Sequence, residues 1–180
     1  PFVARMRKGE QNILWPTDVR WFAKSSGTTS DRSKFIPVSR EALEDCHYKG
    51  GKDLIAFHYQ QFPESKLYQG MSLVVGGSST IEQLRGDAYS GDLSAIIIRN
   101  LPFWVEVRRT PVIETALMEN WEQKIERMAR ETMREDVRCI AGVPSWTLIL
   151  LKRILELTGK KNILEVWPNL ELFMHGGVRL

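Results

Sequence analysis

The chain has 180 residues, 43% hydrophobic and 26% charged, a balance that excludes a disordered tail, a collagen-like rod and a coiled coil. Lysine and arginine number 25 against 22 acidic residues, for a formal charge of +3. The positive residues are dispersed, which argues against a nucleic-acid-binding face and suits a small anionic ligand such as a nucleotide.

From the start of the chain, Phe2 to Lys8 reads as the end of a helix stopped by Gly9, and Trp15-Pro16-Thr17-Asp18 as turn chemistry. Val19 to Ala23 reads as a short strand that runs into the polar segment Lys24 to Lys34. Phe35-Ile36-Pro37-Val38 reads as a returning strand, and its proline predicts a sheet edge. Ser39 is a good N-cap for the next helix. There Leu43, Cys46, Gly50, Leu54, Phe57 and Gln61 recur at spacings of three and four, which predicts one buried face. Gly50-Gly51 is expected to kink that helix or admit a close backbone, and Phe62-Pro63 to end it.

Met71 to Val75 reads as a buried strand ending at Gly76-Gly77-Ser78-Ser79-Thr80, and Gly91-Asp92 as the opening of a helix over Leu93 to Asn100. One helix is predicted from Thr115 to Glu135. Its apolar stripe is Leu117 or Met118, then Trp121, Ile125, Met128 and Thr132. Its other face pairs Glu126 with Arg130 and Arg127 with Glu131. Val137 to Ala141 is the next strand, then Gly142-Val143-Pro144-Ser145 and an apolar helix over Trp146 to Leu157, stopped at Thr158-Gly159. Asn162 to Trp167 reads as a connection and Leu170 to Met174 as a last strand before His175-Gly176-Gly177-Val178. Strands alternating with helices predict an α/β fold, with helices flanking a largely parallel sheet. In such sheets ligands gather beyond the carboxyl ends of the strands.

No CxxC and no HxxxH or HExxH spacing is present, so a zinc site has no support. Cys46 and Cys139 are expected to be reduced core thiols of a cytoplasmic protein. No apolar run is long enough to span a bilayer, so no membrane partner is expected. Pro1 stands where an initiator methionine would, and the chain is expected to be a portion of a longer protein.

The segment Ser25 to Lys34 carries the clearest chemistry. Six of its ten residues are Ser or Thr, with Gly27, Asp31, Arg32 and Lys34 completing it. Gly27 permits a tight turn. Small side chains leave backbone N–H groups free to form an anion cradle, hydroxyls add donors, and Lys34 adds charge. It is not a Walker A loop. Composition alone also fits an ordinary loop.

The order of residues goes further. Ser25-Ser26-Gly27-Thr28-Thr29, with Lys34 five positions on, resembles the phosphate-binding loop of the adenylate-forming superfamily of acyl-CoA synthetases, luciferases and adenylation domains. Trp21 through Ser30, followed by Lys34-Phe35-Ile36-Pro37-Val38-Ser39, resembles one branch. That branch is the auxin-responsive promoter family of acyl-acid amido synthetases, in its bacterial form. Ile140-Ala141-Gly142-Val143-Pro144-Ser145 resembles the turn these enzymes carry beside the acyl pocket. Phe173-Met174-His175-Gly176-Gly177-Val178 resembles the double-glycine turn against the adenine. Ser30-Asp31 departs from the pattern, where many members have a small residue and glycine, and this puts the individual phosphate contacts in question.

The resemblance implies an N-terminal adenylation domain, present in part over residues 1–180, with its C-terminal domain outside the chain. It implies ATP and magnesium, a carboxylic acid substrate and an amino acid co-substrate, joined through an acyl-adenylate. By position it assigns Ser25, Ser26, Gly27, Thr28, Thr29 and Lys34 to the phosphates, Gly176 and Gly177 to the adenine, and Val143 and Trp146 to the acyl pocket. Read without the resemblance, the last two are core residues and the glycines a turn. Neither a catalytic residue nor a protein-bound metal site is assigned. The second nucleotide motif, the ribose-binding aspartate, the hinge and the catalytic lysine are not found in these residues, so the 180 residues alone are expected to be inactive. An acyl-CoA ligase of the same superfamily, or a non-catalytic domain that kept the fold, are the alternatives.

Overall fold

The computed structural model describes residues 1–25, 34–76, 81–84 and 86–176. In chain order the elements begin with α1 (Phe2–Arg7), β1 (Trp21–Lys24), β2 (Phe35–Val38), a π-helical segment (Ala42–Tyr48) and α2 (Lys49–Gln61). Then come β3 (Met71–Val75), β4 (Glu82–Gln83), β5 (Tyr89–Gly91), α3 (Leu93–Arg99) and α4 (Phe103–Glu106). The last are β6 (Arg109–Thr110), α5 (Ile113–Ala116), α6 (Trp121–Thr132), β7 (Val137–Gly142), α7 (Pro144–Thr158) and β8 (Leu172–Met174). The chain divides into two compact units, one of Pro1–Pro63 with Thr80–Asn100 and one of Glu64–Ser79 with Leu101–Leu180.

The first unit holds a mixed sheet of order β2-β1-β5-β4. β1 runs antiparallel to β2, with Lys24 opposite Phe35, and parallel to β5, with Ala23 opposite Gly91. Successive residues of a strand face opposite sides. Accordingly Phe22 is buried with Met6, Val19 and Ala88, and Ala23 with Val38, Leu43 and Ile96. One side is closed by α1 and the other by α3 and the π-helical segment. Pro37 lies on the edge strand, as its missing N–H predicts.

The long helical stretch after β2 starts as expected, with the Ser39 hydroxyl accepting the Ala42 N–H at 3.2 Å. Its buried face does not form. Leu43 is buried, but Cys46 is exposed, and α2 has no buried residue among the described residues. Leu54 is exposed and Phe57 is 63% exposed. The reason is the π-helical segment, whose i→i+5 bonds change the residues per turn and rotate the later residues off the α-helical period. Cys46 is therefore not a core thiol. Nor does a backbone approach Gly50 or Gly51, since a Cβ at either would meet nothing within 4 Å among the described residues. Tyr48, which ends the segment, donates its hydroxyl to the Asn100 carbonyl at 2.7 Å. Burial, and then Glu44, pushes its phenol up to about 12.

The second unit holds an all-parallel sheet of order β6-β3-β7-β8. Its core joins Leu73 and Val75 of β3, Val137 and Ile140 of β7, Ile125, Met128 and Ala129 of α6, and Leu150 and Ile154 of α7. Trp167 is fully buried there and donates its indole N–H to the Thr132 carbonyl at 3.0 Å. Cys139 is buried in β7, as expected, and burial pushes its thiol up to about 12. The α/β reading with a parallel sheet flanked by helices thus holds.

One expectation fails in detail, and three short strands were not anticipated. The single helix from Thr115 to Glu135 is interrupted, because Asn120 caps a new helix by accepting the Gln123 N–H at 2.9 Å. Asparagine competes for backbone donors in this way and favours caps over helix interiors. The short strands β4, β5 and β6 escape a periodicity reading, since two or three residues carry no measurable alternation. Among the described residues no helix is long and apolar enough to cross a membrane.

Candidate functional site

The base of the hydroxyl-rich segment is built by the β1–β2 pair. Ser25 N–H donates to the Lys34 carbonyl at 2.9 Å, and Lys34 N–H donates to the Ser25 hydroxyl oxygen at 3.2 Å. This double clasp closes a hairpin whose intervening residues leave from the carboxyl end of β1. Ser26, Gly27, Thr28, Thr29, Ser30 and Asp31 lie outside the described residues. Ser25 therefore has a structural task at the neck of the hairpin, and its hydroxyl donates to none of the described residues. Lys34 is exposed.

Two further cations flank this neck. Lys24 pairs with Glu82 at 2.7 Å. Arg7, from α1, lays its guanidinium 3.4 Å from the centroid of the Phe35 ring, and Lys24 Nζ lies 6.0 Å from the same centroid. Arg7 was not singled out in the sequence. Its partner is 28 positions away, and no local pattern announces the contact.

In the second unit the carboxyl ends of three parallel strands come side by side. Val75 of β3 is opposite Gly142 of β7, and Ala141 of β7 is opposite Met174 of β8. A Cβ at Gly142 would stand 2.8 Å from the Val75 carbonyl oxygen, so the close approach of β3 requires glycine there. Val143, extended, is the N-cap of α7 and Pro144 begins the helix, where its fixed φ and missing N–H cost nothing. Trp146 lies in the first turn, half-buried, with its ring 5.6 Å from that of Trp121 of α6. Gly176 follows β8 and is exposed; a Cβ there would meet nothing within 4 Å among the described residues. Gly177 lies outside the described residues. The structure thus brings Val143, Trp146 and Gly176 to one edge of one sheet. Ser25 and Lys34 belong to the other unit.

Sequence reading also missed Lys124. It sits inside the apolar stripe of α6, is 1% exposed, and donates to the Gly76 carbonyl at 3.3 Å, just past β3. Its ammonium lies 5.9 Å from the Trp121 ring. A buried charge is expensive and needs compensating partners. Here it meets a carbonyl at the strand end and an aromatic face.

The outer face of α6 behaves as the spacing predicts. Glu126 pairs with Arg130, and Arg127 with Glu131. Arg153 of α7 also reaches Glu126 at 2.6 Å, and these partners, Arg153 first, hold the Glu126 carboxyl below its usual range. The groove along this face is open and is lined by Glu126, Arg127, Arg130 and Glu131 together with Met118, Glu122 and Gln123. Among the described residues no group of three or more His, Cys, Asp or Glu is placed to hold a metal ion.

The sequence profile of the GH3 family N-terminal domain matches residues 1–180. No curated protein matches the chain. Among the solved structures that share the fold are a GH3.15 acyl acid amido synthetase and AtGH3.15 acyl acid amido synthetase in complex with 2,4-DB. Each superposes with a TM-score of 0.58 at 17% identity, covering 86% of this chain. The match spans 27% of the length of either structure.

Proposed function

Since the chain belongs to the GH3 family, its residues 1–180 matching the family's N-terminal domain, we propose that the intact protein is an acyl-acid amido synthetase. In this reading ATP activates a carboxylic acid as an acyl-adenylate with loss of pyrophosphate. The amine of an amino acid then attacks the acyl carbon and AMP leaves. The 180 residues form part of the adenylation domain, and the C-terminal domain is supplied by sequence outside them. The protein works in the cytoplasm.

The observation that carries the reading is the clasped neck between Ser25 and Lys34 at the carboxyl end of β1. By the resemblance, Ser25, Ser26, Gly27, Thr28, Thr29 and Lys34 would hold the phosphates, and the clasp joins the two described ends of that segment. Backbone N–H groups, hydroxyls and one ammonium are the donors a polyphosphate takes. Magnesium would come with the phosphates. Such a loop acts by positioning and by stabilising charge as pyrophosphate departs. Gly176 and Gly177 would lie along the adenine, where the bare Cα of Gly176 leaves room for a flat ring. Val143 and Trp146 would border the acyl group at the adjacent strand end, with Trp121 fixing the Trp146 ring.

Pyrophosphate–ATP exchange on the full-length protein with a panel of carboxylic acids tests this. Acid-dependent exchange is expected. Lys34→Ala should lower it by about 10- to 100-fold, the scale of one lost charged contact to a phosphate. Exchange that no acid stimulates, or that Lys34→Ala leaves intact, would overturn the reading.

A further inference from the structure

Among the described residues Lys124 is the most deeply buried charge, 1% exposed against 5% for Arg109. Arg109 pairs with Glu106 and donates to the Pro111 carbonyl, so its partners lie beside it in sequence and knit one local turn. Lys124 joins elements that are far apart. Its ammonium reaches the Gly76 carbonyl just past β3 and stands 5.9 Å from the centroid of the Trp121 ring. Trp121 lies one turn earlier on α6, and helical side chains lean toward the amino end, which brings the ammonium to that ring. Trp121 in turn meets Trp146 of α7, with 5.6 Å between ring centroids and 56° between ring planes. The contacts form one line, from the carboxyl end of β3 through Lys124 and Trp121 to the first turn of α7.

A lysine inside an apolar stripe costs a desolvation that an apolar residue would not. What it supplies in exchange is direction. A hydrogen bond fixes the ammonium to one carbonyl, and the attraction between a cation and a ring face fixes the ring to the ammonium. The χ2 torsion of a tryptophan has broad, roughly two-fold wells, so a half-buried indole keeps one orientation only when its neighbours hold it. Trp121 and Trp146 are both half-buried. We propose that Lys124 is a positioning residue for the acyl pocket: it sets the Trp121 ring, which sets the Trp146 ring that borders the acid. The proposal rests on the reading of Trp146 as a wall of that pocket and adds a residue of α6 that acts without touching the acid. A wall held at one angle binds an acid that fits it, and a loose wall loses that fit.

Pyrophosphate–ATP exchange on the full-length protein, with benzoate, phenylacetate, butanoate and hexanoate as the acids, reads the effect. Lys124→Met keeps an unbranched apolar chain in the core and removes the charge. With the acid that the wild type uses best, it should raise KM for the acid about tenfold, leave KM for ATP within about twofold and lower kcat by no more than about threefold. Lys124→Arg keeps a cation at the ring and should return the acid KM to within about threefold of wild type. In a Trp146→Ala background Lys124→Met should add nothing further, because its effect passes through that ring. Thermal melting checks that each variant folds, and Lys124→Gln replaces Lys124→Met if the latter does not. If neither folds, the lysine is a structural residue and the proposal is overturned. It is equally overturned if Lys124→Met leaves the acid KM unchanged, if Lys124→Arg loses as much, if KM for ATP rises in parallel, or if the effects of Lys124→Met and Trp146→Ala add. An acid KM that Trp146→Ala does not alter removes Trp146 from the acyl pocket and this proposal with it, and leaves acid activation standing. Exchange that none of the acids stimulates overturns acid activation and the proposal together.

Discussion

α6 and α2 carry nearly the same apolar spacing and have opposite fates. In α6, Trp121, Ile125, Met128 and Thr132 keep an unbroken α-helical period, and the last three are buried, Ile125 and Met128 in the core with the parallel sheet and α7. In the other helix, Leu43, Cys46, Leu54 and Phe57 should form a stripe just as good, yet only Leu43 is buried. The π-helical segment Ala42–Tyr48 holds the first half of that stripe and precedes the second. A hydrophobic period predicts a buried face only while the residues per turn stay constant. The comparison also separates the two units: in the second, paired helices close the sheet, and in the first, α2 contributes no buried side chain among the described residues.

The largest expected effect lies where the stripe is buried. Met128 is fully buried, so Met128→Ala should destabilise the protein by about 3 kcal/mol through lost burial and the cavity left behind. Phe57→Ala removes a larger side chain from α2 and should change stability by no more than about 0.5 kcal/mol, the surface scale. Urea unfolding of the two variants side by side measures this. A comparable loss for Phe57→Ala would show that α2 is covered in solution and erase the contrast.

A smaller effect is expected at the start of α6. Asn120 supplies the cap that breaks the helix expected from Thr115 onward. Asn120→Ala should cost about 1 kcal/mol, and Asn120→Asp, which keeps an acceptor, far less. Equal losses for both would show that the break is imposed by packing rather than by the cap.

The same logic governs how far the sequence was legible. β2 and β3 lie where their apolar runs place them, and β7 extends one residue beyond its predicted end. The glycine stop of α7 is equally local, with Gly159 at φ +66°. What escaped was non-local. β4 and β5 exist because each pairs with a neighbour, not because two or three residues prefer a strand. The segment Ser25 to Lys34 stands out in the sequence because its residues are contiguous and their order is distinctive, while residues 26–33 lie outside the described residues. Arg7 and Lys124 do not stand out, since each is defined by a partner that only the fold supplies: Phe35 for one, Gly76 for the other. A lysine between Trp121 and Ile125 reads as a solvated charge until β3 is packed above it.

The smallest perturbation uses the two cysteines, one from each side of the comparison. Cys46 is exposed on the π-helical segment and Cys139 is buried in β7. The thiolate is the reactive species. Burial holds the Cys139 thiol protonated by raising it from an ordinary value of about 9 to about 12. A group raised in the folded state adds stability below its unfolded value and loses that contribution as the pH climbs toward its folded one. Cys139 therefore favours folding fully at pH 7 and progressively less between about 9 and 12. At pH 8 a maleimide should label Cys46 alone, with no change in melting temperature, and label Cys139 only after denaturant is added. Intact-mass spectrometry reads the outcome. A folded protein that takes up two labels would mean that β7 opens readily. One that takes up none would mean that the π-helical segment is buried, and the two helices would then differ less than their exposure indicates.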